Sequence, residues 1–180
     1  MYWLEFDPDV ISYATPAISF DYYELGKLKQ YVPDFQVIRR YKKQIIDVKS
    51  KKILQSDRYK QLYQHLSRIC DEKGWTFIAL TESEVRLEPI FSNIKLLYRY
   101  ARENFSIDEY RDCLEIIRAN VPASLAEIYQ ILECKKIRRN VLLKLLFCGS
   151  LEIDLKQSIQ LDSAIAAVSE KIDWERLLNV

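Results

Sequence analysis

A chain of 180 residues, 49% of them hydrophobic, suits one ordinary domain or a small domain with a smaller appendage, and it is too apolar to remain disordered. A net charge of +1 means that bulk charge identifies no partner, while 3 Gly and 5 Pro exclude long flexible linkers. The 4 cysteines, at positions 70, 113, 134 and 148, have no CxxC spacing and lie far in sequence from the single His65, which argues against a zinc site or a disulfide framework. Free thiols suit a reducing cytosol. No signal peptide and no apolar run of membrane-spanning length is evident, so no membrane partner is expected.

In chain order, Met1 to Phe6 reads as the end of a helix, stopped by Asp7-Pro8-Asp9. Val10 to Tyr23 is rich in β-branched and aromatic residues and predicts an edge strand with an irregularity at Pro16. Glu24-Leu25-Gly26-Lys27 is a turn, and Leu28 to Arg39 a second strand disturbed at Pro33. A charged turn over Arg40 to Lys43 leads to a short strand from Gln44 to Lys49. The period then changes. Tyr59, Leu62, Tyr63, Leu66, Ile69 and Cys70 recur at helical spacing, with Ser56 placed to cap the helix and Gly74 to end it. Trp75 to Leu80 predicts a buried strand and Leu96 to Arg102 another helix. This order describes an α/β sandwich whose central strands carry polar residues. From about Asn104 the texture is helical. Ile107 to Ala119 is amphipathic, Ser124 with Glu127 forms a capping box, and Arg138 to Cys148 makes a third helix ended by Gly149. Leu151 to Leu155 alternates like a strand, and Leu161 to Leu178 reads as a closing helix. Three helices and a short strand pair outline a winged helix, with a boundary near Glu103 to Ser106. The expected domains are therefore 1–104 and 105–180.

Pro33-Asp34-Phe35 and Asp47-Val48-Lys49 carry the chemistry. Asp47 and Lys49 are two apart on a strand and point to one face. A hairpin between the two strands brings Asp34 to that face, so that two carboxylates and an ammonium converge. Asp34 and Asp47 are hard oxygen ligands for Mg²⁺, with the Val48 carbonyl as a further ligand and Mn²⁺ as a substitute ion. Lys49 is placed to orient an attacking water or to stabilise charge on a phosphate. The pattern alone is short, and the plainer reading is a turn Asp34 with an exposed pair at Asp47 and Lys49. Between Gln36 and Lys52 lie Arg39, Arg40, Lys42, Lys43, Lys49, Lys51 and Lys52, with Asp47 the single acid of that stretch. They are candidate phosphate contacts, or otherwise the charges of a solvated hairpin edge.

The flanking sequence resembles TnsA-like endonucleases, the nuclease subunits of heteromeric transposases. The resemblance is carried by Leu4-Glu5-Phe6-Asp7-Pro8-Asp9-Val10, Tyr31-Val32-Pro33-Asp34-Phe35, Ile46-Asp47-Val48-Lys49, Gly74-Trp75-Thr76-Phe77 and Leu80-Thr81-Glu82 in the family's order. Asn93-Ile94-Lys95-Leu96-Leu97 and Tyr100-Ala101-Arg102 continue it, so that it covers about residues 4 to 102, with a weaker match over Gly149 to Ser163. It implies a restriction-endonuclease-like PD-(D/E)xK core followed by a small winged-helix-like, partner-binding domain. It gives ligand roles to Asp34 and Asp47 and the catalytic lysine role to Lys49. It also implies transposon-end DNA as substrate, cut at the 5′ ends on the non-transferred strand. The implied partners are a TnsB-type DDE transposase and a TnsC-type AAA+ ATPase, in a bacterial cytoplasm. Target choice, by a CRISPR complex or otherwise, lies outside the resemblance. The family's first-helix Glu falls about two turns before Glu5, ahead of Met1. An incomplete metal site is therefore expected, with Glu5, Asp7 and Asp9 as substitutes between which the sequence does not choose.

Two other functions stay open at the level of sequence: a noncatalytic DNA-bound adaptor of the same assembly, and an unrelated PD-(D/E)xK restriction or repair nuclease. His65 reads as a surface or packing residue rather than a base, and Trp75 and the tyrosines read mostly as core. Lys135, Lys136, Arg138 and Arg139 form a second basic cluster that suits a DNA-reading helix, an exposed helix start or a docking surface. The acidic excess from Glu152 onward favours a protein partner there.

Overall fold

The computed structural model describes residues 1–167 and 173–179, which form two compact units, Asp9–Leu87 and Met1–Pro8 with Glu88 onward. A short helix α1 (Tyr2–Phe6) belongs to the second of these. The first unit contains β1 (Val10–Ala14), β2 (Phe20–Glu24), β3 (Lys27–Tyr31), β4 (Phe35–Arg39), β5 (Lys43–Lys49), α2 (Lys51–Leu54), α3 (Asp57–Glu72), β6 (Thr76–Thr81) and α4 (Glu82–Val85). Its main sheet has the order β1-β4-β5-β6, antiparallel except for the parallel β5–β6 pair that α3 connects. β2 and β3 form a separate hairpin. Leu25 and Gly26 at its tip have φ of 52° and 74°, the left-handed pair that a tight two-residue hairpin turn requires.

The two expected long strands are each divided. Val10 to Tyr23 becomes β1 and β2, and Leu28 to Arg39 becomes β3 and β4, with each half in a different sheet. Both breaks fall at prolines, which cannot donate to a ladder. The Ala17 N–H bonds to the Pro33 carbonyl at 3.1 Å, so the chain leaves and rejoins the main sheet at one place. Ser56 stands at the start of α3 without a side-chain capping bond, because its hydroxyl donates to the Ile53 carbonyl at 2.8 Å. Gly74 does end that helix, at φ 68°. The strand expected over Trp75 to Leu80 is present but only half-buried. The core of this unit gathers Phe20, Tyr22, Ile45, Leu62, Leu66 and Cys70.

The second unit continues with α5 (Ile90–Ala101), α6 (Ile107–Asn120), β7 (Ala123–Ser124), α7 (Leu125–Cys134), α8 (Asn140–Phe147), β8 (Leu151–Ile153), β9 (Ala164–Ala167) and α9 (Trp174–Asn179). Its sheet order is β7-β9-β8. The division falls at Leu87/Glu88 rather than near residue 104, because α5 buries Ile94, Leu97 and Ala101 and shares its core with α6, α7 and α8. Ser124 and Glu127 form the expected capping box, and Ser106 with Glu109 forms another. The closing helix expected over Leu161 to Leu178 does not form as one element: Ala164–Ala167 is a strand paired to β7 and β8, and among the described residues of that stretch the helical part is Trp174–Asn179. The intervening part of that expectation, 168–172, lies outside the described residues.

Polar groups inside this unit are matched one by one. Buried Asn93 donates to the carbonyls of Leu155 and Gln157 at 2.9 and 2.7 Å, and accepts from the Ile159 N–H at 3.1 Å. Every residue from Val141 to Phe147 is buried. Lys144, 1% exposed, donates to the Glu103 carbonyl at 3.0 Å. A helix buried on all sides belongs to the core and not to the surface.

Candidate active site

β5 is the strand that carries the site. It is flanked by β4 and β6, and Gln44 to Asp47 are buried along it. Asp47 and Lys49 share the face on which Ile45 joins Leu62 and Leu66 of α3. Asp34 immediately precedes β4, and the Phe35↔Ile46 register, carried one step further, sets it opposite Asp47.

The two carboxylates meet on one ammonium. Lys49 Nζ donates to Asp47 Oδ1 at 2.9 Å and to Asp34 Oδ2 at 3.2 Å. The Val48 N–H donates to the same Asp34 oxygen at 2.7 Å. β4 stops pairing at Ile46, so the side chain of Asp34 takes the place of a strand partner there. The N–H and C=O of a strand residue face the same neighbour, so the Val48 carbonyl, like its N–H, faces the β4 side of the strand. Asp34 is 39% exposed and Lys49 23%, whereas Asp47 is sealed, so the site opens on the Asp34 side.

A carboxylate that is 0% exposed requires donors. Tyr31, the last residue of β3, donates its hydroxyl to Asp47 Oδ2 at 2.5 Å, and Tyr63 of α3 donates to the same oxygen. Burial alone pushes the Asp47 carboxyl up, but the bonds from Tyr31, Tyr63 and Lys49 together outweigh it and hold the group below its ordinary range. Burial likewise disfavours the Lys49 ammonium, and its bonds to Asp47 and Asp34 more than offset this, raising Lys49 above the ordinary lysine range. Burial first, and Asp47 second, push Tyr31 and Tyr63 up, so both remain donors at neutral pH.

Two carboxylates and a backbone carbonyl form an all-oxygen donor set, which suits a hard divalent ion whose remaining positions are filled by water. Among the described residues no three His, Cys, Asp or Glu side chains form a metal-ligating cluster. Asp9, one of the expected substitutes for the helix Glu, pairs with Arg39 at 3.5 Å. Glu5 and Asp7 belong to the other unit.

The basic residues fall into two groups. Lys51 and Lys52 are exposed at the start of α2, directly beyond Lys49. Arg40 and Lys42 are exposed at the β4–β5 turn, at the opposite end of β5. The strand separates the two ends by about 20 Å at roughly 3.3 Å per residue. Arg39 is engaged by Asp9 and by Gln44 Oε1 at 2.5 Å, and Lys43 lies 3.8 Å from the centre of the Trp75 ring. His65 sits beside Arg68 with its Nδ1 at 3.2 Å from the guanidinium. In the second unit Arg138 pairs with Glu109 and Arg139 with Glu133, and all four basic residues of that cluster are exposed.

Sequence reasoning missed Tyr31 and Tyr63 as site residues, because helical and strand periodicity assigns both to the core. Their rings do pack there, Tyr63 against Phe77 at 5.0 Å, but their hydroxyls end on Asp47. For Tyr31 the available signal was its place two residues before Pro33, at the end of β3.

The mixed α/β unit, with its sheet and connecting helix, fits an endonuclease-like domain. Residues 7–82 match the family model described as the TnsA-like endonuclease N terminal. That segment is less than half of the chain and contains Asp34, Asp47, Val48, Lys49 and every basic residue of the first cluster. The match supports a TnsA-like family and suggests a transposase endonuclease. No curated protein matches the chain. No helix among the described residues is long and apolar enough to cross a membrane.

Proposed function

We propose that the chain is the Mg²⁺-dependent DNA endonuclease subunit of a heteromeric transposase, hydrolysing phosphodiesters at the 5′ ends of the element on the non-transferred strand. A TnsB-type DDE transposase and a TnsC-type AAA+ ATPase are its proposed partners, and the bacterial cytoplasm is its proposed location. One observation carries this reading. Asp34 and Asp47 converge on Lys49 inside the segment that matches the TnsA-like endonuclease model.

In the reaction, water attacks phosphorus, one ester P–O bond breaks, and the leaving alkoxide takes up a proton. Asp34, Asp47 and the Val48 carbonyl are the groups that would hold Mg²⁺, with Mn²⁺ as a substitute. A bound divalent ion supplies positive charge at the phosphate and acidifies water. Lys49 is the residue placed to meet charge developing on the phosphate oxygens. Lys51 and Lys52, beside the opening, bind the DNA backbone, and Arg40 and Lys42 extend that contact. The order α6, β7, α7, α8, β8, β9 with a three-stranded sheet supports a winged-helix reading of the second unit. Because α8 is buried along its length, this module is read as binding a protein partner rather than reading a DNA groove.

A catalytically incomplete adaptor is the second reading. It is favoured by the pairing of only two carboxylates, both engaged by Lys49. The test is the structure of transposition products made with both partners. Simple insertions from the wild type and cointegrates from Asp47→Ala support the nuclease. Cointegrates from both proteins support the adaptor.

A further inference from the structure

Asp47 is approached differently at its two oxygens. Oδ2 receives two hydroxyls, from Tyr31 at 2.5 Å and from Tyr63. Oδ1 receives the Lys49 ammonium at 2.9 Å. A carboxylate oxygen has two lone-pair sites, so the tyrosines use both sites of Oδ2 and Lys49 uses one of Oδ1. The tyrosines come from separate elements and their rings pack as a group. Tyr31 stands edge-on to Tyr63 at 6.4 Å and to Tyr59 at 6.3 Å, and Tyr59 stands edge-on to Tyr63 at 5.6 Å.

We propose that Tyr31 and Tyr63 are positioning residues that block Oδ2 and hold Asp47 so that it offers a divalent cation one oxygen, Oδ1, on the side of Asp34 and Lys49. The tyrosines act through Asp47 and do not touch the ion. The proposal deepens the function above, resting on its reading of Asp47 as a ligand. Donors to the outer oxygen of a ligating carboxylate fix its orientation, and loss of such partners typically lowers metal affinity by about 10- to 100-fold.

The experiment is Mn²⁺ titration of the full chain by calorimetry, with infrared difference spectra of the carboxylate stretches on Mn²⁺ addition. The proteins are the wild type, Asp47→Ala, Tyr31→Phe, Tyr63→Phe and the double Phe variant. Phe retains the ring packing, and the two single variants carry the test if the double variant does not fold. The expected result is a Kd raised about 10-fold or more in the double variant. Its carboxylate bands should also draw closer together, as Asp47 turns to bind through both oxygens. An unchanged Kd and unchanged bands would overturn the proposal while leaving Asp47 as a ligand. A weaker Kd without the band shift would show general loosening and would also overturn it. Absence of Mn²⁺ uptake by the wild type, or equal uptake by Asp47→Ala, would remove the ligand reading and the proposal with it.

Discussion

Asp47 illustrates how one residue ties sequence, packing and chemistry together. A strand covered on both faces has little room for a charge, and this one is kept ionised by two tyrosines and a lysine. Asp47→Ala should lower cleavage by at least roughly 100-fold, since the charge supplied at such a site is worth several kcal/mol. It should also lower folding stability by about 1–3 kcal/mol in denaturant titration, because two half-buried tyrosine hydroxyls lose their acceptor and Lys49 loses one of its two. Asn93 makes a comparable point in the second unit. Its three hydrogen bonds clasp the Leu155–Ile159 segment to α5, so Asn93→Ala should destabilise by about 3 kcal/mol without changing DNA cleavage chemistry. At this scale the carboxylates and Lys49 were legible from the spacing Asp47-Val48-Lys49 and from the nearby Pro33-Asp34. The tyrosine donors were not, because a half-buried aromatic at core spacing conceals where its hydroxyl ends.

Elements were read best where the signal is local. The β2–β3 turn, the length of α3 and the Ser124 capping box all rest on contacts within a few residues. The strand breaks at Pro16 and Pro33 were visible as irregularities, but a change of sheet depends on a partner elsewhere, here the Ala17–Pro33 bond. Ala164–Ala167 was lost for the same reason: its pairing with β7 and β8 overrides a local pattern that reads as helix. The start of α6 offers a test in acid. The Arg138 guanidinium and then the Ser106 backbone N–H pull the Glu109 carboxyl from its ordinary 4.5 down to about 2. A carboxyl depressed in the fold stabilises above its unfolded value, and that stabilisation is lost as pH falls from about 4.5 toward 2. Glu109→Gln should therefore flatten the fall in thermal stability across this window, with a small effect because the ion pair is largely exposed.

For the whole molecule, charge is arranged locally on a nearly neutral chain. Lys51 and Lys52 follow directly on β5, which carries Asp47 and Lys49, while two members of the other group, Arg39 and Lys43, are engaged by Asp9 and Trp75. Replacing both Lys51 and Lys52 with Ala should reduce the salt dependence of DNA binding, lowering the slope of log K against log salt by roughly 2. The second unit puts its most apolar helix, α8, at the centre of its core and pairs the basic Arg138 and Arg139 with Glu109 and Glu133 at its surface. The most direct test of the nuclease is to map strand ends at a labelled transposon terminus, with Mg²⁺ and both partner proteins present, for the wild type, Asp47→Ala and Lys49→Ala. Breaks at the 5′ ends with the wild type, absent from both variants, are the predicted result. Equal 5′ cleavage by all three proteins, or none by the wild type while 3′ cleavage proceeds, would contradict an active site built on Asp34, Asp47 and Lys49.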